Sequence, residues 1–184
     1  MGYILLILGL ALFMGSHWFK RLMPARRAAI GDPGKGLVAL GILAGIVLMV
    51  IGYRSAAYVN VWFPPFFLIH VANLLMVIAF WLFALSVIQG TISARIRHKQ
   101  LTATKTWAIS HLLVNGDLAS ILLFGGLLGW AVGSVIMINK AEPTWERPAN
   151  ASLKNDGLAF VAGLVAFVVV AFIHSWLGYY PFPA

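Results

Sequence analysis

The chain has 184 residues, of which 61% are hydrophobic and 10% charged, with a mean hydropathy of +0.92. Soluble domains carry about 25% charged residues, so this composition excludes a soluble protein and predicts an all-α, polytopic membrane protein in one domain, residues 1–184. The net charge of +8 does not indicate nucleic-acid binding, because the cations lie in short loops between apolar runs. The absence of cysteine excludes disulfides, iron–sulfur ligation and haem thioether bonds.

The first two apolar runs predict two membrane helices joined by a basic loop. Residues 3–18 form a retained helix rather than a cleaved signal, because no basic residue precedes them and five follow. The loop of residues 20–35 leads to a second helix, residues 37–58. Gly41 and Gly45 form a GxxxG pair there, with Gly52 near the same face, which predicts close helix packing.

Pro64-Pro65 predicts the start of a third helix that extends to about residue 89. The next segment contains the turn dipeptide Asn115-Gly116, which favours a break. Residues 101–114 then form an interfacial helix, and residues 118–138 span the membrane alone. One long kinked helix is the alternative.

Asp117 follows the break, and its side chain is predicted to cap the next helix rather than to act in catalysis. Along that helix Gly125, Gly129 and Gly133 recur every four residues, which predicts packing either within the chain or in a homodimer. A polar loop, residues 139–156, precedes a fifth helix of residues 157–177.

The distribution of Lys and Arg predicts the orientation. Loops one and three carry nine of these residues, against four in loops two and four. This difference places loops one and three in the cytoplasm, the N-terminus outside and the C-terminus inside, as in a bacterial inner membrane protein. On this topology His17, His111 and His174 share one inner level, whereas His70 lies roughly 20 Å away at the outer side.

Neutral imidazole is a common metal ligand, and two imidazoles from opposed helices can hold a haem iron. Phe13 and Met14 lie one turn from His17, and Trp107 lies one turn from His111, so both neighbourhoods suit a flat apolar cofactor. The cations predicted to pair with the haem propionates are Lys20, Arg21, Arg95 and Arg97. In the competing interpretation these histidines only reach toward the interface.

The remaining histidines favour simpler roles. His98, between Arg97 and Lys99, is interpreted as solvated or facing phosphate, and His174 as interfacial or as a group supporting a ligand. His70 with Asn73 predicts a hydrogen bond between helices. The sequence contains no cysteine or GxSxG nucleophile and no carboxylate pair, which excludes the commonest hydrolytic sites.

A set of motifs resembles the NnrU family of small multi-span membrane proteins over essentially the whole chain. These motifs are Arg95-x-x-His98, Trp107-Ala-x-x-His111-Leu-Leu-x-Asn115-Gly116-Asp117, Phe124-Gly125-Gly126, Gly15-Ser-His17 and Lys35-Gly36-Leu37. The resemblance implies an association with nitrite and nitric oxide reduction in denitrifying bacteria. Lys99 departs from the proline that the family often has after this histidine.

The membrane part of zeta-carotene isomerase is similar to this family and holds haem b between histidines. Carried over by motif, its ligands fall on His17 and His111. Three hypotheses follow: a haem b protein supporting nitrogen-oxide reduction or related redox metabolism, a haem-dependent isomerase of a small apolar polyene dissolved in the bilayer, and a scaffold or assembly factor without a cofactor.

Overall fold

A computed structural model describes residues 1–148 and 152–182. In chain order the helices are α1 (Gly2–Leu22), α2 (Pro24–Ile30), α3 (Pro33–Ser55), α4 (Leu68–Val87), α5 (Lys99–Leu112), α6 (Leu118–Ala141) and α7 (Leu153–Trp176), with a short 3-10 helix, Ser93–Arg95, before α5. The described residues form no strand. The predicted all-α class and the break after α5 are confirmed.

Five of these helices, α1, α3, α4, α6 and α7, are long and apolar enough to cross a membrane. Helix α5 has 14 residues, about 21 Å by helix rise, and is too short to span a hydrocarbon core of about 30 Å alone. With the apolar composition, these five helices make the chain an integral membrane protein in contact with the lipid bilayer.

Several predicted boundaries differ from the structure by a few residues: α1 extends to Leu22, α3 begins at Pro33 and α7 begins at Leu153. Larger differences occur in the basic loop and at the start of the third predicted helix. The basic loop contains α2, which begins at Pro24 and ends at Ile30, and Gly31 follows it with φ of +66°. Proline is favoured in a first helical turn and glycine accepts positive φ, so both ends have a local cause. Helix α4 begins at Leu68 rather than at the prolines, and Leu68 N–H donates to the Pro65 carbonyl at 3.0 Å.

The chain divides into two compact units, while the single domain of residues 1–184 stays a prediction. Unit 1 comprises Met1–Phe63 and Asn115–Trp130. In unit 1, α1 packs antiparallel on α3 through glycines of both helices: a Cβ added at Gly9 would lie 2.6 Å from the Met49 nitrogen, and one at Gly45 would lie 2.9 Å from the Phe13 nitrogen. The predicted glycine-mediated packing of this helix is confirmed.

The first half of α6 completes unit 1. Asp117 Oδ1 accepts from Ser120 N–H at 3.0 Å, so the predicted cap is confirmed. A Cβ at Gly126 would lie 2.9 Å from a methyl of Leu10. One added at Gly125 or Gly129 would meet no described atom within 4 Å, so packing of these two glycines within the chain is wrong and the homodimer stays a prediction.

Unit 2 comprises Pro64–Val114 and Ala131–Ala184, and within it α5 runs antiparallel along α4. Ala103 packs with Leu82 and Leu85 near the end of α4, while Ser110 Oγ donates to the Ala72 carbonyl at 2.7 Å near its start. The predicted interfacial position of this segment is therefore wrong.

The third and fourth loops meet at one end of unit 2. Gly90 pairs with Ser152, and His98 Nε2 lies 2.7 Å from Asn139 Oδ1. The prediction that these loops lie on opposite faces is wrong, because α5 returns along α4 and α6 runs back to the end of unit 2 that holds His98. At the other end, Asn73 Nδ2 donates to the Pro181 carbonyl at 3.2 Å, so the C-terminal segment lies away from both loops.

Candidate functional site

His17 lies in an aromatic cluster of unit 1. Its ring centroid is 4.3 Å from that of Phe13 and 4.8 Å from that of Trp130. His17 Nδ1 lies 2.9 Å from the Phe13 carbonyl oxygen. Since a carbonyl only accepts, Nδ1 carries the hydrogen, and in the neutral ring Nε2 keeps its lone pair for a ligand.

Sequence reasoning anticipated Phe13 beside His17 but missed Trp130. The indole stacks edge-on against Phe13 with ring centroids 5.1 Å apart. Tryptophan in membrane proteins concentrates at the interfaces, so a tryptophan at residue 130, inside the apolar run of α6, was the available signal.

His111 lies in a pocket of unit 2 with an empty volume of about 400 Å³, including its open mouth. Its walls are mostly apolar, formed by Met76, Phe80, Trp107, Phe167, Val170 and Ala171. The polar groups come from Asn73, His111, His174 and the carbonyl-bearing Pro181. The Trp107 and His111 ring centroids are 5.0 Å apart, as their one-turn spacing predicted.

Two features keep the imidazoles of this pocket suited to ligation. Burial and, secondarily, the imidazole of His174 lower the pKa of His111 from 6.5 to about 4, so the ring is neutral at physiological pH. His174 Nδ1 donates to the Val170 carbonyl at 2.8 Å, which leaves its Nε2 as an acceptor. Among the described residues, no three His, Cys, Asp or Glu side chains form a metal-binding group.

The structure brings His111 and His174 together, but not on the predicted side. Both line a pocket with Asn73, near the start of α4, whereas the third loop lies at the opposite end of that helix. The predicted position of His111 at the level of the third loop is therefore wrong, as is its separation from the level of His70. His17 belongs to unit 1, and its pairing with His111 stays a prediction.

The cations proposed for haem propionates divide between the units. Arg95 and Arg97 lie before the start of α5, and Lys99 to His111 is about 18 Å by helix rise, so neither arginine belongs to the pocket around His111. The Arg97 guanidinium donates to the Glu142 carbonyl. His98, interpreted as solvated, is paired with Asn139. Lys20 and Arg21, in the last turn of α1, stay predictions.

The segment around the break has a structural role in unit 1. Asp117 Oδ2 accepts from Ser120 Oγ at 2.6 Å, and Tyr53 OH lies 2.9 Å from Ser120 Oγ. The Gly116 carbonyl accepts from Val61 N–H at 2.8 Å. Asn115 and Gly116 thus belong to a connection that ties the α6 start to the segment after α3.

His70 does not join the pocket. It is exposed, and its ring centroid is 6.1 Å from that of Phe66. Asn73 bonds to Pro181 in the segment after α7 rather than to another helix. The expected bond between helices is therefore replaced by one to the C-terminal segment.

The fold and its apolar helices define a polytopic helical protein of the lipid bilayer with histidines set among aromatic side chains. The sequence profile of one family, described as NnrU protein, matches residues 5–181. The chain belongs to the NnrU family. It matches no curated protein and no solved structure.

Proposed function

We propose that this protein binds haem b through the imidazoles of His17 and His111 and supports nitrite and nitric oxide reduction or related redox metabolism. The observation that supports the proposal is the setting of both rings: each lies against flat aromatic side chains, and the bond of His17 Nδ1 to the Phe13 carbonyl leaves Nε2 available to a ligand. Haem bound in this way would supply reversible one-electron chemistry, and His17 and His111 would hold its iron through their imidazole nitrogens among apolar side chains.

The donor set fits the group. Haem iron takes imidazole nitrogen as an axial ligand, and a ring whose other nitrogen bonds to a carbonyl is held in one tautomer and orientation. His17 has this second bond to the Phe13 carbonyl. The ring of Trp130 adds an apolar face beside it.

The absorption spectrum of protein purified from haem-supplied cells tests the proposal. We expect a Soret band in the wild type and a haem content lower by at least about tenfold in His17→Ala and in His111→Ala, because each removes one axial base. His70→Ala, which removes an exposed imidazole, is the matched control and should retain the band.

Two results contradict the proposal in different ways. A colourless wild type would favour the cofactor-free scaffold. If His17→Ala kept its full haem content and His174→Ala lost its haem, the second ligand would be His174 of unit 2 instead of His17.

We also propose that both termini lie outside the cytoplasm of a bacterial inner membrane, with α5 and the residues on either side of it returning the chain along α4 as a sixth crossing. In unit 1, five Lys and Arg precede or begin α3 at one end, and only Arg54 lies at the end that holds Met1. In unit 2, the third and fourth loops meet at one end, and the cations there are Arg95, Arg97, Lys99, Lys140, Arg147 and Lys154. At the opposite end, residues 64–67, 113–114 and 177–182 contain no Lys or Arg. The positive-inside rule then places the C-terminus outside, opposite to the side predicted from sequence.

Reporter insertions test this topology. A reporter inserted after Trp145 should read cytoplasmic, because its loop meets the loop that carries Arg95 and Arg97. A reporter at the C-terminus should read periplasmic. Opposite readings at both positions would invert the topology, and equal readings would contradict the arrangement of unit 2.

A further inference from the structure

Helix α2 lies at one end of two span-length helices but has no buried residue of its own. Helix α1 ends at Leu22 and α3 begins at Pro33, and both are long and apolar enough to cross a membrane. The ends of membrane spans lie at the level of the lipid headgroups. The connecting α2, in unit 1, therefore lies at a surface of the bilayer.

The seven residues of α2 are too few to form a stable helix in water by themselves. Isolated helices shorter than about 12–15 residues are marginal, and helices in proteins gain most of their stability by packing one face. The Arg27 guanidinium donates to the Gly31 carbonyl at 2.8 Å, which fixes the turn toward α3 but buries no apolar face. A partner outside the chain is therefore needed to cover α2.

The residues of α2 divide into an apolar face and a cationic side. The apolar face consists of Pro24, Ala25, Ala28 and Ala29. Arg26 and Arg27 lie on the other side, together with the exposed Ile30. The exposed side chains of Leu22 and Met23 adjoin the start of the helix. This division is typical of a helix that lies flat among lipid headgroups with its apolar face toward the acyl chains.

The charge of this segment selects the kind of partner. Residues 20–35 contain five Lys and Arg and one acid, Asp32, so their net charge is +4. Asp32 already pairs with Lys35 at 2.8 Å. Among the described residues, the one hydrogen-bond contact of the Arg26 guanidinium is with the Met23 sulfur at 3.9 Å, so its other N–H groups can bind an external anion. A second copy of this surface would bring like charges together, whereas an anionic partner fits it.

We propose that α2 docks on the membrane surface by binding the phosphate groups of anionic phospholipids. Arg26 donates to the headgroup phosphates, and the apolar face of α2 contacts the upper part of the acyl chains. Each Lys or Arg near an anionic leaflet strengthens binding by roughly fivefold. The leaflet gives α2 the covering contact that the rest of the chain does not supply. The proposal is independent of haem, because Arg26 has no part in the predicted haem site.

Site-directed spin labelling of the full chain tests the proposal, because the sequence has no cysteine and Ala29→Cys gives one labelling site on the apolar face. The protein is reconstituted in vesicles of phosphatidylcholine alone or mixed with phosphatidylglycerol. Collisions of the nitroxide with oxygen, which concentrates in hydrocarbon, or with a water-soluble nickel chelate report the docked and undocked populations. We expect the ratio of docked to undocked label to be at least about tenfold higher in the mixture, and added salt to reduce it.

Three results overturn the proposal. One is an equal ratio of docked to undocked label in the two kinds of vesicle. Another is recovery of docking in phosphatidylcholine when inorganic phosphate is added, which would make the ligand a free phosphate rather than a lipid. The third is dipolar broadening between labels, which would show that two copies of α2 meet.

Arg26→Glu in the labelled protein tests whether this residue binds the headgroups. We expect it to lower the ratio of docked to undocked label by about fivefold to 25-fold, because it reverses one charge beside the phosphates. Arg54→Glu makes the same change at the opposite end of α3, where the side chain is also exposed, and is the matched control. It should change the ratio by about twofold or less, since it lies far beyond the range of unscreened attraction. An equal fall in both variants would show that total charge attracts the lipid, and it would overturn the role of Arg26.

Discussion

Gly52→Ala is expected to lower the free energy of unfolding by about 3 kcal/mol, because there is no space for a methyl group between α3 and α1. The added Cβ would overlap the backbone nitrogen of Leu6 and lie 2.9 Å from the carbonyl oxygen of Gly2. Backbone atoms cannot rotate away as side chains do. The two helices must therefore separate along their whole contact, which also separates Gly9 from Gly45.

Gly36→Ala is the matched control for this change. Gly36 lies in the same helix, and a Cβ there would meet no described atom within 4 Å. We expect it to change stability by about 1 kcal/mol or less, through helix propensity alone. Thermal denaturation of both variants in detergent measures the difference, and equal loss in the two would show that contact between the backbones does not hold α1 on α3.

The sequence correctly predicted that glycines of α3 allow close helix packing, but it did not identify all the glycines that make the contact. The sequence predicted packing through Gly41 and Gly45 with Gly52 near the same face, and the backbones approach closely at Gly45 and Gly52 of α3. On α1 they do so at Gly2 and Gly9, which the sequence did not single out. Both pairs are seven residues apart, a spacing that keeps one face of a helix on its partner over two turns. Gly41 instead faces the flexible side chain of Ser16. The sequence of one helix does not show which of its small residues pack against a second helix.

Local signals were sufficient for the ends of α5 and α6 but not for the position of α5. The turn dipeptide Asn115-Gly116 and the cap at Asp117 act within a few residues, so sequence predicted both. The polar composition of α5 suggested an interfacial helix. Two of its three threonines, however, are hydrogen-bonded within the helix, since the Thr104 and Thr106 hydroxyls donate to carbonyls one turn earlier. Such a helix can pack along α4 at little cost in unpaired polar groups.

Of the candidate site, the sequence predicted only those contacts that each histidine makes with residues one helical turn away. Phe13 beside His17 and Trp107 beside His111 follow from one-turn spacing. Trp130 lies on α6, more than a hundred residues from His17. His174 and Asn73 likewise reach the pocket through α7 and α4. Since α5 reverses the direction of the chain along α4, a charge count that omitted it could not predict that the third and fourth loops meet at one end of unit 2.

Asp156→Ala is expected to destabilise the protein by about 3 kcal/mol, because it removes the partner of a main-chain group at the cationic end of unit 2. Asp156 is 4% exposed. Its carboxylate oxygens accept from Ile92 N–H at 3.1 and 3.2 Å, and its carbonyl accepts from the Trp81 indole at 3.4 Å. Alanine leaves the Ile92 N–H without its carboxylate and opens a gap beside Gly90.

A graded set of variants separates the hydrogen bond from the packing. Asp156→Asn keeps one acceptor oxygen, so we expect about half the loss. Gly90→Ala keeps the carboxylate, but its added Cβ would overlap Asp156 Oδ1. We expect this overlap to lower stability by an amount similar to that of Asp156→Ala. Gly157→Ala, next to Asp156 and with no described atom within 4 Å of the added Cβ, should be nearly neutral.

The segment between α4 and α5 should report the change directly. Ile92 N–H and Gly90 hold this segment against α7, and Arg95 and Arg97 follow it at once. When the carboxylate is lost, local opening exposes the peptide bonds after these arginines, so limited trypsin digestion should cut there faster in Asp156→Ala than in Gly157→Ala. Equal cleavage with unchanged thermal stability would mean that other contacts, such as that of His98 with Asn139, hold the two loops together.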